Sequence, residues 1–124
     1  MRVLIIDDDE LARETMRQFL ERSDCEVVAV ENAIAGLAEV HQAAFDAIVC
    51  DYSLPFMGGQ NFYEEIRIEN PEAARRFIFV TGYASDQEIS SQLEATGQPV
   101  IGKPFGFDDL VQAVRSVGGT AEPS

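Results

Sequence analysis

The sequence predicts an α/β domain of three layers, in which five parallel strands lie between two layers of helices, with five helices in all. Two observations lead to this prediction. Short apolar runs recur along the 124 residues, and each run is followed by a stretch whose apolar residues recur at helical spacing. Strands that alternate with helices at this interval are joined by right-handed crossovers, which give a parallel sheet covered on both faces.

Five apolar runs are predicted as strands. The first is Val3-Leu4-Ile5-Ile6, and a run without polar residues fits a strand that is buried on both faces. The predicted strands cover residues 3–6, 26–30, 46–50, 77–80 and 99–101. The spacing of these runs leaves the order of the strands in the sheet open.

Helical spacing and terminal signals predict the five helices. Asn32 is placed to start the second helix, Pro71 marks the end of the third, and Gly97 is suited to end the fourth in a left-handed conformation. The predicted helices cover residues 10–22, 33–43, 60–69, 86–95 and 106–117. The residues expected to face the sheet are Leu11, Thr15, Phe19 and Leu20, then Ile34, Leu37 and Val40, then Phe62, Tyr63 and Ile66, and finally Leu110, Val111 and Val114.

Five polar residues fall at or just after the ends of predicted strands: Asp7, Asp8, Asp51, Thr81 and Lys103. Parallel strands end at one rim of a sheet, and ligands of open α/β sheets bind outside the carboxyl ends of the strands. We therefore expect these side chains to share one small site. Three carboxylates, a hydroxyl and an ammonium group suit a divalent cation together with a phosphoryl group.

The three carboxylates would repel one another in such a site. Two like charges ~4 Å apart cost about 4 kcal/mol at an effective dielectric constant of about 20. Mg²⁺ would offset this repulsion, because it binds one or two carboxylates together with waters and phosphate oxygens. A carboxylate can also attack phosphorus and form an acyl phosphate, which makes Asp51, at the start of a loop, the candidate nucleophile.

Each of these residues also has an ordinary structural explanation. Asp7 and Asp8 fit the first turn of a helix, where acidic side chains offset the helix dipole. Asp51 fits a capping residue in a turn, Thr81 a β-branched strand residue, and Lys103 a solvated surface lysine. The functional interpretation is favoured because all five residues fall at strand ends together.

The charge and composition of the chain limit its partners and location. It has 22 acidic and 9 basic residues and a net charge of −13, so direct binding of DNA or RNA is not expected. No apolar run approaches the ~20 residues that span a membrane, and nothing resembles a signal peptide, so a cytoplasmic location is expected. The two cysteines, Cys25 and Cys50, are expected to be buried thiols.

Four motifs in combination give the chain a family resemblance. They are Asp7-Asp8, the segment Asp51-Tyr52-Ser53-Leu54-Pro55-Phe56-Met57-Gly58-Gly59, Thr81-Gly82, and Lys103-Pro104-Phe105. With them the chain resembles the receiver domain of bacterial two-component response regulators, of the kind found in chemotaxis regulators, from Arg2 to Val117. The resemblance implies a flavodoxin-like fold with the strand order 2-1-3-4-5. The receiver domain is expected to span residues 1–117, with residues 118–124 as a flexible tail or the start of a linker.

The resemblance also implies a phosphorylation switch. A histidine kinase or a histidine phosphotransfer protein would supply the phosphoryl group, and Asp51 would accept it with Mg²⁺ (or Mn²⁺) bound. The metal would be held by Asp7, Asp8, Asp51 and the backbone carbonyl of Ser53. The phosphoryl oxygens would be held by Lys103, Thr81 and the amide of Gly82. Such a domain is a phosphoacceptor and not an enzyme, with at most slow self-phosphorylation and self-dephosphorylation.

The expected output is a change in one surface. The helix over residues 86–95, the strand over 99–101 and the helix over 106–117 would form it, and the downstream protein target is left open. The domain would be a monomer or a weak homodimer. Many receivers carry an aromatic residue where this chain has Val100. Tyr83, two residues after Thr81, either takes over part of that role or is a loop aromatic that shields the site.

Two other functions remain as alternatives. One is a phosphohydrolase of the haloacid dehalogenase type, which also uses an Asp nucleophile at a strand end. Asp7-Asp8-Asp9 supplies its Asp-x-Asp pattern, but Leu11 stands where that family has Thr or Val. The other is a receiver-like interaction module that works without phosphorylation. Such modules usually lose the lysine or an acidic residue, and this chain keeps them all.

Overall fold

The computed structural model describes residues 1–83 and 85–118. Its five strands form one parallel sheet in the order β2-β1-β3-β4-β5. The strands are β1 (Arg2–Ile6), β2 (Glu26–Val30), β3 (Ala47–Asp51), β4 (Phe77–Thr81) and β5 (Val100–Gly102). The predicted fold class and the strand order that the resemblance implied are both confirmed, and the predicted strand ends differ by a single residue at most.

Six helices lie in the described part of the chain. They are α1 (Glu10–Glu21), α2 (Ala33–Gln42), α3 (Gly59–Glu69), α4 (Pro71–Ala74), α5 (Gln87–Glu94) and α6 (Phe107–Gly118). The prediction of five helices was wrong by one, because Pro71 does not only end α3. It occupies the first turn of α4, where the missing N–H of proline costs no hydrogen bond. Asn70 caps this short helix by accepting a bond of 3.2 Å from the amide of Ala73.

Polar side chains fix where α1, α2 and α5 begin. The side chain of Asp9 accepts from Leu11 N at 3.1 Å, and that of Asn32 accepts from Ala35 N at 2.8 Å. The side chain of Asp86 accepts from the first amides of α5. These bonds satisfy amides that have no partner inside the helix. Gly97 lies just beyond α5 with φ +81°, so the left-handed helix ending predicted for this residue is confirmed.

Alternate residues of the strands supply two cores, one on each face of the sheet. Leu4 and Ile6 point to the face covered by α2, α3, α4 and α5, while Val3 and Ile5 point to the face covered by α1 and α6. The alternation follows from the two-residue period of a strand. The inward residues predicted for α3 and α6 are buried: Phe62, Tyr63, Ile66, Leu110, Val111 and Val114.

Two of the predicted core residues are on the surface instead. Leu11 is 76% exposed and Ile34 is 62% exposed. In α2 the helix approaches the sheet through small residues: a Cβ added to Gly36 would lie 3.1 Å from both the Ile6 and the Phe62 side chains. That close packing places Ala33 and Gly36 inward and turns Ile34 outward. In α1, Met16 and Leu20 fill the core, and Leu11 lies one turn above it.

The carboxyl end of α6 packs against the residues that precede β1 and β3, Met1 and Asp46. Gly118 is the last residue of α6 and is buried, and a Cβ there would lie 2.7 Å from the carbonyl oxygen of Asp46. The rest of the predicted tail, residues 119–124, lies outside the described residues. None of the helices in residues 1–83 and 85–118 is long and apolar enough to cross a bilayer. Cys50 is buried as predicted, Cys25 is only half-buried, and both are free thiols.

Candidate functional site

The candidate site lies at the carboxyl ends of four strands. Asp7 follows β1, Asp51 ends β3, Thr81 ends β4, and Lys103 follows β5. The strand register brings these ends level, since Ile6 pairs with Cys50, Asp51 with Val80, and Thr81 with Gly102. Residues that are far apart in the sequence therefore meet at one rim, as predicted.

Three carboxylates converge there. One oxygen from each of Asp7, Asp8 and Asp51 lies within 4.8 Å of one from each of the other two. Asp7 is fully buried and Asp51 is 6% exposed, while Asp8 is exposed. The amide of Asp9 donates to Asp7 Oδ1 at 2.9 Å and the Arg13 side chain donates to the Asp7 carbonyl at 2.8 Å, so this residue is fixed on two sides. An oxygen cluster of this kind, part buried and part open, fits Mg²⁺.

Lys103 places a positive charge between two of these carboxylates. Its Nζ lies 3.3 Å from Asp7 Oδ2 and 3.2 Å from Asp51 Oδ1. The peptide bond from Lys103 to Pro104 is cis. Burial by itself lowers the pKa of Lys103, but Asp51 and Asp7 outweigh that effect and raise the pKa above its ordinary value. The ammonium group therefore stays charged in the site.

One lysine does not neutralise the cluster. Burial, and next the charge of Asp7, raise the pKa of Asp51 from 3.8 to about 6, although Lys103 acts in the opposite direction. Asp8 adds a smaller increase. The three carboxylates thus carry more negative charge at this rim than Lys103 neutralises. A divalent cation would supply the missing positive charge.

Thr81 places a hydroxyl beside the acidic cluster. The residue is 1% exposed, and its backbone is fixed because its carbonyl accepts from Lys103 N at 2.8 Å. Its Oγ1 accepts from the amide of Tyr83 at 2.9 Å. Gly82, between them, is exposed, and a Cβ there would meet nothing within 4 Å. A larger side chain would therefore fit at position 82 without a steric clash.

The loop after Asp51 turns back tightly over the end of β3. Tyr52 N donates to the Val80 carbonyl at 2.8 Å, and Gly59 N donates to the Tyr52 carbonyl at 2.9 Å. A Cβ on Gly59 would lie 2.5 Å from the carbonyl oxygen of Asp51, so any side chain at this position would force the backbone to shift. Ser53, the predicted carbonyl ligand, lies exposed in this loop.

Sequence reasoning missed three supports of the site. Gly59 ends the motif that begins at Asp51, but the motif gives no reason for glycine there, which is that the residue lets the loop pass close to Asp51. The contact of Arg13 with the Asp7 carbonyl has no motif that would reveal it. Tyr52 and Tyr83 form an edge-on ring pair, with centroids 6.1 Å apart and planes at 72°, and only their positions beside Asp51 and Thr81 gave a hint of it.

Residues 3–115 match the response regulator receiver domain. The chain belongs to this family. It is 32% identical over 123 residues, 97% of its length, to the sensor protein GacS of Pseudomonas syringae pv. syringae, of which the match covers 14%. It is 36% identical over 85 residues, 67% of its length, to the transcriptional regulatory protein BtsR of Escherichia coli strain K12, of which the match covers 34%.

A solved structure of the same kind is similar in fold. The response regulator TrrA of Thermotoga maritima, in complex with Mg²⁺ and BeF, has a TM-score of 0.82 and 25% identity, covering 94% of this chain and 97% of that one. By contrast, this chain spans only a small part of the curated relatives GacS and BtsR. The comparisons therefore identify a receiver domain of two-component signalling, a phosphoacceptor module. The activities of the longer relatives are not assigned to this chain.

Proposed function

We propose that Asp51 is the residue that accepts the phosphoryl group in this receiver domain. One observation carries the proposal. Asp51 is nearly buried at the end of β3, and its Oδ1 lies 3.2 Å from Lys103 Nζ. Asp7 and Asp8 lie beside it with oxygens within 4.8 Å. Asp7 is fully buried and held by hydrogen bonds, and Asp8 is the most exposed of the three. Asp51 lies between these extremes, since its side chain is largely screened from water but still reaches the surface of the site.

We further propose Mg²⁺ as the resident cation, with Mn²⁺ as a substitute. Asp7, Asp8 and Asp51 would hold it together with the backbone carbonyl of Ser53. All four ligands are oxygens, which is the donor type that Mg²⁺ prefers. The pKa of Asp51 is raised first by burial and next by the charge of Asp7, and a bound cation would favour the ionised carboxylate against both effects. When bound, the ion would offset charge on the phosphoryl oxygens.

The transfer itself needs little more than positioning. An oxygen of Asp51 would form a bond to phosphorus while the N–P bond of a phosphohistidine breaks, and the electron pair of that bond would stay on the imidazole nitrogen. Lys103, already at hydrogen-bond distance from Asp51, would turn to the phosphoryl oxygens. The hydroxyl of Thr81 and the amide of Gly82 would donate to the others.

The donor is proposed to be a histidine kinase or a histidine phosphotransfer protein. Two curated relatives, GacS and the sensor histidine kinase AruS of Pseudomonas aeruginosa, are named as sensors, which supports this choice. The surface of α5, β5 and α6 is proposed to change on phosphorylation and to meet the downstream protein, with residues 1–117 as the functional unit. The domain would act as a stoichiometric acceptor, with at most slow self-phosphorylation and self-dephosphorylation.

Intact-mass spectrometry with acetyl phosphate and Mg²⁺ tests the proposal. The wild-type protein should gain the mass of one phosphoryl group, and Asp51→Asn should not. Asp24→Asn is the matched control, since it makes the same chemical change at an exposed residue in the left-handed region, where Asn is well tolerated. An equal mass gain in Asp51→Asn and in the wild type would refute the assignment.

The same samples separate the two alternatives. A phosphohydrolase would release phosphate steadily from the donor, whereas a receiver would reach a fixed mass gain and then release phosphate only slowly. A module that works without phosphorylation would bind its partner equally well as wild type and as Asp51→Asn.

A further inference from the structure

Exposed apolar side chains gather at one end of the molecule. Among the described residues, six large apolar side chains are exposed. Four of them lie at the carboxyl rim of the sheet, in the loops or first helical turns that follow β1, β2, β3 and β4: Leu11, Ile34, Phe56 and Tyr83. The acidic cluster lies at the same rim. This end of the domain therefore differs from an ordinary solvated surface, on which exposed apolar residues are scattered singly.

Phe56 is the most exposed of these side chains, at 88%. It belongs to the loop that joins β3 to α3. Three other apolar side chains of that loop, Tyr52, Leu54 and Met57, pack against the core on the α3 face of the sheet. The loop therefore shelters these three side chains and leaves the ring of Phe56 in water.

The backbone of Phe56 is strained. Its φ is +68°, in the left-handed region that residues with bulky side chains rarely adopt. Met57 N donates to the Pro55 carbonyl at 2.7 Å across it, and such a bond around a positive φ makes the rarer and more strained kind of γ-turn. Glycine or asparagine would hold this turn with less strain. Phe56 thus combines a strained backbone with an exposed ring, and a strained residue beside a site is a reason to look for a function there.

The position of Phe56 places it inside the area that a phosphodonor protein would cover. Gly59 lies three residues after Phe56, and a Cβ on Gly59 would lie 2.5 Å from the carbonyl oxygen of Asp51. Three residues of chain span at most ~11 Å, so Phe56 lies within that distance of Gly59. A protein interface of ordinary size buries ~800 Å² on each partner, which is a round patch of ~16 Å radius. A protein that brings a phosphohistidine to Asp51 therefore covers Phe56 as well.

The loop presents the ring in a fixed position. The ring of Pro55 restricts the backbone just before Phe56, and Gly59 N donates to the Tyr52 carbonyl at 2.9 Å to close the loop. A side chain held in this way loses little freedom when a partner buries it. The nearby exposed residues are acidic, namely Asp8, Asp9 and Glu10. The complementary partner surface is thus an apolar pocket bordered by basic side chains.

We propose that Phe56 is the anchor residue by which a protein carrying a phosphohistidine docks on this domain, with its ring in an apolar pocket bordered by basic groups. The inference rests on the proposed function, that Asp51 takes a phosphoryl group from such a protein. Phe56 has no group that could hold the metal or the phosphoryl oxygens, so its role is in docking and in the choice of donor. A docking contact is made equally before and during transfer. Its loss should therefore raise KM for the donor protein and leave kcat nearly unchanged.

Phosphotransfer from two donors tests this role. The protein donor is chosen from the histidine kinases encoded in the same genome as this chain, each autophosphorylated with ATP, as the one that transfers fastest to the wild type. The small donor is phosphoramidate, which has the same N–P bond but no docking surface. Phe56→Ala should raise KM with the protein donor about tenfold or more, or ~1.4 kcal/mol, because the ring no longer leaves water on docking. The rate with phosphoramidate should change far less.

Two further variants show whether the apolar ring at this place is what matters. Phe56→Leu keeps an apolar side chain and should restore most of the affinity for the protein donor. Ile68→Ala is the matched control, since Ile68 is 72% exposed near the end of α3, which leads away from the rim. Circular dichroism should show that all three variants fold as the wild type does, because both positions are exposed.

The outcomes separate this inference from the proposed function. An unchanged KM in Phe56→Ala, or an equal rise in Ile68→Ala, overturns the docking role. A wild type that self-associates by light scattering and becomes monomeric in Phe56→Ala, with KM for the donor unchanged, shows that the ring binds a second copy instead. If phosphoramidate modifies the wild type but no kinase does, the docking role is overturned and the acceptor stands. If neither donor modifies it, the proposed function fails.

Discussion

Removing the charge of Asp51 should stabilise the protein when no divalent cation is present. Burial, followed by the charge of Asp7, raises the pKa of Asp51 from 3.8 to about 6. One pKa unit is ~1.36 kcal/mol, so ionising this carboxyl in the folded state costs about 3 kcal/mol more than in the unfolded state. Asp51→Asn keeps the shape of the side chain and removes that cost. The variant should therefore be more stable than the wild type by up to about 3 kcal/mol near neutral pH.

The pH dependence of the difference follows from the direction of the pKa shift. The folded state binds the Asp51 proton more tightly than the unfolded state does, so the wild type loses stability as pH rises from the unfolded pKa to about 6. Above that pH the cost is complete and constant. Asp51→Asn lacks this dependence. The advantage of the variant should therefore be nearly absent at about pH 4 and fully present at about pH 7.5.

Urea unfolding in the presence of a chelator, followed by circular dichroism at both pH values, measures this difference. Asp24→Asn again serves as the matched control, because it removes one carboxylate from an exposed position. The reasoning would be refuted if Asp51→Asn were no more stable than wild type near neutral pH. It would also be refuted if the advantage were the same at both pH values.

Three further predictions concern the metal, the loop and the lysine. Millimolar Mg²⁺ should raise the melting temperature of the wild type, since it binds the folded state alone, and should raise that of Asp51→Asn less; equal shifts would contradict the assigned ligands. Gly59→Ala should lower the free energy of unfolding in urea by about 1–3 kcal/mol, because the new Cβ would lie 2.5 Å from the Asp51 carbonyl oxygen. Gly82→Ala is the control and should change stability little, because its Cβ would meet nothing within 4 Å. Lys103→Gln should raise the pKa of Asp51 further and slow the gain of phosphate, and an unchanged rate by intact mass would argue against its role.

The sequence predicted the parts of the fold that depend on local patterns. Apolar runs such as Phe77-Ile78-Phe79-Val80 placed the strands, and Asn32 was correctly identified as the start of a helix. The five rim residues were found because each follows an apolar run, and parallel pairing brings the ends of such runs together. The strand order, by contrast, came only from family resemblance, since pairing across the sheet leaves little trace in the spacing of runs.

What the sequence missed depends on contacts between distant segments. Ile34 has helical spacing with Leu37, yet it is exposed because Gly36 lets α2 pack closely on Ile6 and Phe62. Pro71 has the same sequence signature whether it follows one helix or starts another, so α4 was missed. The need for glycine at position 59 appears only when the loop is folded over Asp51. These features depend on tertiary packing, which a linear pattern does not record.

Locating the phosphoryl group on the chain tests the central claim most directly. Borohydride reduces an aspartyl phosphate to homoserine, so reduction after treatment with acetyl phosphate and Mg²⁺, followed by peptide mass mapping, marks the modified residue. We expect homoserine at position 51, with none formed when Mg²⁺ is withheld by a chelator. Homoserine at another aspartate, or the same yield at position 51 without a divalent cation, would contradict the account.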